Sequence, residues 1–250
     1  MKAIILAAGV GARLVQPSGD PCPKVLLRFG GRTLLQRHIE SLGRLGVREI
    51  VVGAGYRHDD IRREVERLGA GDAVRIVVNP DYEHGSIVTL WALREDLLAG
   101  GTILLMDGDV LYHHDVLGRL MASPHENCVN FDRDLEPGDE PFKVWMRGGR
   151  MVDFRKGSSV VCDYRAEWTG FARLSAQIAE RLVAQTRLYI DRDRRREPYE
   201  EALRDVMLSA DPGTFGVEDI TGLPWIEIDF AADMTRAEDE ILPRVLAAEK

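Results

Sequence analysis

The chain has 250 residues, 45% of them hydrophobic and 30% charged, with a formal net charge of -8. That length buries one large core, and the acidic balance excludes an extended nucleic-acid partner, which calls for a basic stripe that neutralises many phosphates. The longest apolar runs, such as Ile50 to Ala54 and Ile103 to Met106, are strand-sized and well short of the roughly 18 residues of a membrane span. Cys22, Cys128 and Cys162 lie far apart without a C-x-x-C pair, which fits a reducing, cytoplasmic compartment.

Along the first half, strand-like and helix-like segments alternate. Lys2 to Ala7 reads as a strand, Leu34, Leu35, Ile39, Leu42 and Leu45 recur at helical spacing, and Glu49 to Gly53 is β-rich. Ile61, Val65 and Leu68 mark a second helix, followed by a strand at Val74 to Val78, a helix from about Ser86 to Leu98 and a strand at Thr102 to Met106. Strands separated by helices of this length predict a parallel sheet covered on both faces, with the ligand site at the carboxyl ends of its strands. After Ser123 the rhythm changes. Cys128 to Asp132, Lys143 to Arg147 and Met151 to Arg155 read as strands joined by Gly138-Asp139 and Gly148-Gly149 turns, an antiparallel addition. Helices at Ala176 to Gln185 and Tyr199 to Leu208 flank a charged loop, Asp191 to Glu197, and a last strand at Trp225 to Asp229 precedes a closing helix from Met234. The expected architecture is α/β, a Rossmann-like three-layer α/β/α arrangement in one domain. It is expected to divide into residues 1–123, residues 124–232 and a closing helix at 233–250.

Three constellations carry chemistry. Leu6-Ala7-Ala8-Gly9-Val10-Gly11-Ala12-Arg13-Leu14, followed by Pro23-Lys24, ends a strand in small residues, so backbone N–H groups can approach phosphate oxygens while Arg13 and Lys24 supply positive charge. Its spacing matches neither G-x-G-x-x-G nor the P-loop. A glycine turn beside two ordinary surface cations is the plain alternative. Asp107-Gly108-Asp109 sets two carboxylates where a buried strand ends, suited to a hard divalent cation such as Mg²⁺, with Asp109 the first choice; turn chemistry alone also enriches Asp at strand ends. Trp225-Ile226-Glu227-Ile228-Asp229 places a late acid at another strand end, and alternation sends Glu227 and Asp229 to one side. Glu227 reads as a rim residue, as one that supports Asp229 from behind, or as neither. His113 and His114 are adjacent, and neighbouring side chains seldom converge on one ion; His38, His58 and His125 read as scattered surface or helix positions.

The segment Leu6-Ala7-Ala8-Gly9-x-Gly11-x-Arg13-Leu14 with Pro23-Lys24 resembles the signature of the sugar-phosphate nucleotidylyltransferase superfamily. Asn79-Pro80-x-Tyr82, Ser86 and Leu90-Trp91 are most similar to its phosphocholine cytidylyltransferase-like branch, which includes enzymes that cytidylylate phosphonates. The chain departs from that branch at His84-Gly85-Ser86, where some members carry paired asparagines. The resemblance implies that Leu6, Ala7, Ala8, Gly9, Gly11, Gly85, Ser86 and Asp107 hold a nucleoside triphosphate, CTP above all, with Arg13 and Lys24 on its phosphates. It implies Mg²⁺ on Asp109 and Asp229, and Lys156 on the acceptor's phosphate. Trp168 and Gly170, from the Thr-Gly-aromatic segment, are expected in the acceptor pocket. Tyr199 and Glu200 join them on charge and cation-π grounds, with an ordinary charged helix start as the alternative. The expected activity is transfer of a nucleoside monophosphate to a small phosphate or phosphonate with release of pyrophosphate, by a soluble enzyme without a membrane segment; a homodimer is what the family likeness allows. A sugar-1-phosphate nucleotidylyltransferase, a glycosyltransferase of the related nucleotide-sugar fold and a silent nucleotide-binding regulator are the alternatives.

Overall fold

The computed structural model describes residues 1–14, 21–135 and 141–248. Strand β1 (Lys2–Ala7) leads through a short hairpin, β2 (Arg28–Phe29) and β3 (Arg32–Thr33), into helix α1 (Leu34–Arg44), whose first turn is capped by the Thr33 side chain accepting from the Gln36 N–H. Then follow β4 (Glu49–Ala54), α2 (His58–Arg67), β5 (Val74–Val78), α3 (Ser86–Ala92), α4 (Arg94–Leu98) and β6 (Ile103–Asp107). Strands β5, β4, β1 and β6 lie side by side in parallel. Their alternation divides the core. Ile4, Ile103 and Leu105 face one apolar cluster, and Ala3, Ile5, Leu104 and Met106 face another. The single helix expected from Ser86 to Leu98 is two, meeting at Leu93. There the side chain turns down over Gly53 of β4, where a Cβ would stand 2.6 Å from the leucine Cδ1.

Beyond β6 the chain forms β7 (Val110–Tyr112), α5 (Asp115–Ala122), β8 (Asn127–Asp132) and the hairpin β9 (Lys143–Arg147) and β10 (Arg150–Arg155), turned by Gly148-Gly149 in the left-handed region. The Gly138-Asp139 turn lies outside the described residues. The eleven-residue strand β11 (Tyr164–Leu174) then joins the two parts of the sheet, antiparallel to β6, β8 and β9. Its register shifts between Trp168 and Ala172, around Gly170 at φ +82°. Helices α6 (Ala176–Asp191) and α7 (Tyr199–Leu208), strands β12 (Phe215–Asp219) and β13 (Trp225–Glu227), and helices α8 (Ala231–Arg236) and α9 (Leu242–Ala248) complete the chain.

The layers are those expected: α3, α4, α6 and α7 supply residues to the cluster on one face of the sheet, and α1, α2 and α5 to the cluster on the other. A third cluster joins Leu14, Leu27 and Phe29 to Leu111, Ile226 and Ile228 and to Ile241, Leu242 and Val245. The C-terminal helix thereby pins the glycine-loop segment and the β7–β13 pair together, which fixes the frame of the site. Among the described residues, no helix is long and apolar enough to cross a membrane.

Candidate active site

The carboxyl ends of β1 and β6 meet through the Gly108 N–H, which donates to the Leu6 carbonyl at 3.0 Å. A Cβ at Gly108 would come within 2.9 Å of that same oxygen, so only glycine lets the Asp107-Gly108-Asp109 turn sit on the end of β1. The turn is held from below by His38. Its Nε2 lies 3.1 Å from the Gly108 carbonyl and its Nδ1 3.2 Å from the Tyr112 hydroxyl. Two such partners fit a neutral ring, with Nε2–H donating to the carbonyl and Nδ1 accepting from the hydroxyl, and burial pushes its pKa down to about 4. Of the surface or helix positions expected for the histidines, His38 takes the helix one, buried. It falls on the buried stripe of α1 with Leu34, Leu35 and Leu42, the signal that locates it.

Asp109, just past β6, and Asp229, just past β13, converge. The Lys24 ammonium donates to Asp109 Oδ2 at 2.9 Å and to Asp229 Oδ1 at 2.6 Å. Glu227 joins them: one carboxylate oxygen from each of Asp109, Glu227 and Asp229 lies within 4.8 Å of the others. Of the rim and supporting places expected for Glu227, the structure gives the one beside the two aspartates. Alternation along β13 puts it on the same side as Asp229 while Ile226 and Ile228 enter the core, and the Ile228 N–H donates to the Asp109 carbonyl at 3.0 Å. Burial on its own would lower the Lys24 pKa, but the Asp109 and Asp229 carboxylates override it and hold the ammonium above the ordinary lysine value. The donor set, three hard carboxylates around a position already attractive to a cation, fits a divalent metal ion.

Next to this cluster lies a cavity of about 270 Å³ lined by Leu6, Ala8, Gly9, Tyr82, Gly85, Ser86, Thr89, Asp107, Asp109, Tyr199, Glu200 and Glu227. Of the expected nucleotide residues, Ala7 does not line it, because strand alternation turns its side chain to the opposite core face. Gly11, at φ +66°, does not line it either. A Cβ there would stand 3.0 Å from the Cys22 carbonyl and 3.4 Å from the Lys24 Cγ, so Gly11 makes room for the lysine-bearing segment. Tyr82 and Thr89 are additions. Tyr82 packs on Gly55, where a Cβ would be 2.4 Å from its own, and the Thr89 hydroxyl accepts from Asn79 Nδ2 at 3.0 Å. The Ser86 hydroxyl accepts from the Tyr199 N–H at 2.9 Å, tying the start of α3 to that of α7.

The far wall is acidic. The Tyr199 hydroxyl donates to Asp107 Oδ1 at 2.9 Å, and Glu200 Oε2 is buried without a hydrogen-bond partner among the described residues. Burial first, then repulsion from Glu200, Asp109 and Glu227, raises the Asp107 pKa well above the carboxylate range. Burial likewise raises Glu227, with Asp109 and Asp229 adding to it, and lifts Glu200 to about 7. Trp168 and Gly170 are not lining residues. Trp168 is 3% exposed, gives its Nε1–H to the Phe171 carbonyl at 3.0 Å and stands edge-on to Tyr199; its size and apolar surface make it a core residue behind the wall. Gly170 backs Asp107, whose Oδ2 would lie 2.7 Å from an added Cβ.

The two remaining cations are peripheral. The Arg13 guanidinium lies 5.0 Å over the Phe230 ring, beside Asp229 in sequence, and the exposed Lys156 ammonium stands 5.7 Å from the Phe142 ring centre. The Lys156 charge still reaches Glu200, whose pKa it lowers against the effect of burial. His113 and His114 depart from expectation. Ligand atoms of His113, His114 and Asp115 come within 4.8 Å of one another, and the two imidazole ring centres lie 4.1 Å apart. They do not line the cavity.

Residues 3–148 match the family described as MobA-like NTP transferase domain. The chain is 28% identical to a CMP-5'-(3-aminopropyl)phosphonate synthase of Streptomyces rubellomurinus over 97% of its own length and 39% of the other's. It is 23% identical to a CTP:phosphoglutamine cytidylyltransferase of Campylobacter jejuni over 94% of its length and 98% of the other's. The chain therefore spans well under half of the first relative and nearly all of the second. In three dimensions it is similar to the inositol-1-phosphate CTP transferase from T. maritima, with a TM-score of 0.77, 23% identity and coverage of 98% and 95% of the two chains. These likenesses agree with the resemblance read from the glycine-rich segment and with the expected fold class.

Proposed function

Because the chain belongs to the MobA-like NTP transferase domain family, we propose that it transfers CMP from CTP to a small phosphate or phosphonate acceptor and releases pyrophosphate. The observation that carries this reading is the convergence of Lys24, Asp109, Glu227 and Asp229 beside a cavity floored by Leu6, Ala8 and Gly9. The relatives support the donor, since their names carry CMP or CTP, while their acceptors differ.

The acceptor oxygen attacks the α-phosphorus in line. The new O–P bond forms as the bond between the α-phosphorus and the bridging oxygen breaks, and that oxygen leaves with pyrophosphate. No general base is needed, because a phosphomonoester with a second pKa of about 6 is mostly dianionic at neutral pH. The protein's task is positioning and charge neutralisation. The Leu6–Gly9 backbone, Gly85 and Ser86 hold the nucleoside. Lys24 and Arg13 draw charge from the departing pyrophosphate, and Lys156 steadies the acceptor's phosphate at the edge of the Tyr199–Glu200 wall. Asp109 and Asp229, with Glu227 beside them, would hold a Mg²⁺ ion, which would supply neutralisation of the charge that builds up on the phosphates. The three cysteines, all free thiols, support a reducing, cytoplasmic setting.

The test is a pyrophosphate-release screen with Mg²⁺ that crosses the four common nucleoside triphosphates with phosphocholine, 2-aminoethylphosphonate, 2-hydroxyethylphosphonate, inositol phosphates and hexose-1-phosphates. Release with CTP and one acceptor, lost in Asp109→Ala, is the expected result. Release with a hexose-1-phosphate alone moves the chain to the sugar-nucleotide enzymes, and failure to bind any triphosphate overturns the reading.

A further inference from the structure

The position between Asp109 and Asp229 is held by a side chain of the protein itself. Lys24 Nζ stands 2.9 Å from one carboxylate and 2.6 Å from the other, so the ammonium lies where oxygens from both acids already converge. A divalent ion bound there needs those oxygens at about 2.0–2.1 Å if it is Mg²⁺. An ammonium and a dication cannot share the volume, and at this separation their repulsion is strong in a partly buried setting. The two states differ by one side chain. The backbone of Lys24 is fixed, since the next residue, Val25, is 1% exposed and packs in the core, whereas the lysine stem runs past Gly11, which has no side chain to confine it. Asp109 lines the nucleotide cavity, so the triphosphate that the cavity receives offers the ammonium a second anionic partner.

We propose that Lys24 is a resident counter-ion that keeps the metal seat closed in the nucleotide-free protein, and that the triphosphate opens the seat by drawing the ammonium onto its own oxygens. One residue would then couple the two binding events. Free metal ion does not load the site on its own, and the dication is admitted together with the nucleotide whose charge it neutralises. The inference rests on the proposed reading only in taking Asp109 and Asp229 as metal-binding groups.

The experiment is Mn²⁺ binding to the nucleotide-free full chain, followed by electron paramagnetic resonance of the free ion, for wild type, Lys24→Met, Lys24→Arg and Asp109→Asn. Lys24→Met is expected to bind Mn²⁺ about tenfold more tightly than wild type, or better, because a positive charge has left the seat. Lys24→Arg should stay weak, and Asp109→Asn should bind weakly for lack of a ligand. Thermal melting gives a second readout: Mn²⁺ should raise the melting temperature of Lys24→Met more than that of wild type. Lys24→Ala takes the place of Lys24→Met should the latter show no cooperative transition. A folded Lys24→Met that binds Mn²⁺ no more tightly than wild type overturns the proposal. Such a result beside pyrophosphate release by the wild-type chain leaves the nucleotidyltransferase reading standing, and tightened Mn²⁺ binding beside a wild-type chain silent in the substrate screen does the reverse.

Discussion

Two sets of carboxylates meet at this site under opposite electrostatic conditions. Asp109 and Asp229 share the Lys24 ammonium at hydrogen-bonding distance. Asp107 and Glu200, in the cavity wall, have a tyrosine hydroxyl and an unpartnered oxygen instead, and burial raises both pKa values. Glu227 touches both sets: it belongs to the three-carboxylate cluster and lines the cavity, and its pKa too is driven up by burial and by its acidic neighbours. The difference separates two tasks. The first set already holds a cation, and the second forms an acidic wall of the cavity.

Breaking the first set should have the largest effect. Asp109→Ala removes a carboxylate from the seat and should cut pyrophosphate release by roughly a thousandfold or more while leaving the melting transition in place; initial rates at saturating triphosphate read this directly. Removing the prop beneath that set comes next. His38→Ala empties a buried position and removes the imidazole partner of the Gly108 carbonyl and of the Tyr112 hydroxyl, which keeps only Ser41; this should cost about 2–4 kcal/mol of stability in denaturant titrations. Misplacing the Asp-Gly-Asp turn should lower kcat by about tenfold or more. The His38 pKa also fixes a pH signature. The folded ring stays neutral down to about 4, whereas the unfolded ring protonates near 6.5, so between these values the unfolded state binds more protons and stability falls as the pH falls. In His38→Gln that part of the acid loss should disappear.

A disturbance from behind the second set should be milder. Gly170→Ala forces a side chain onto a residue at φ +82° with Asp107 Oδ2 only 2.7 Å from the new Cβ. About 1–3 kcal/mol of destabilisation is expected. As Asp107 and its Tyr199 partner move, the KM for substrate should rise more than kcat falls. Unchanged KM values in a folded variant would separate Gly170 from the cavity wall.

The parallel half of the fold was legible because its apolar residues repeat at strand and helix periods, and β1, β5 and α7 have the bounds their patterns predict. The strand β11 was not, because its run contains Arg165, Glu167 and Gly170 among buried residues and draws its partners from three distant strands. For the site, the glycine-rich segment and the acids at the strand ends were readable because their chemistry is local. Pairing Lys24 with Asp109 and Asp229 spans separations of 85 and 205 residues, which no local pattern encodes. Trp168 misled for the opposite reason. Its segment resembles a ligand-facing motif, yet a large apolar ring with a single N–H is most stable where β11 buries it. Nothing local set His38 apart from the other histidines, because a histidine on a buried helical stripe looks the same whether or not it supports a strand-end turn.

The smallest effect expected, and the one that most sharpens the contrast between the two sets, is at Glu200. Its folded pKa is raised to about 7 from an ordinary 4.5, chiefly by burial. Between those values the folded protein holds a proton that the unfolded chain has released, so stability declines as the pH rises through this window and stays lower above it. Replacing the carboxyl with an amide that never ionises removes the decline. In the metal-free and nucleotide-free protein, Glu200→Gln should therefore match wild type near pH 4 and exceed it at pH 8. The full shift corresponds to about 3 kcal/mol, which the residue's partial exposure to solvent reduces to roughly 1–2 kcal/mol. Denaturant titrations at both pH values measure the difference. Equal stability at pH 8 would mean that Glu200 is already compensated by a cation, and the nearest to it in effect is Lys156. Repeating the titration in Lys156→Met would then show the gain that the lysine had masked.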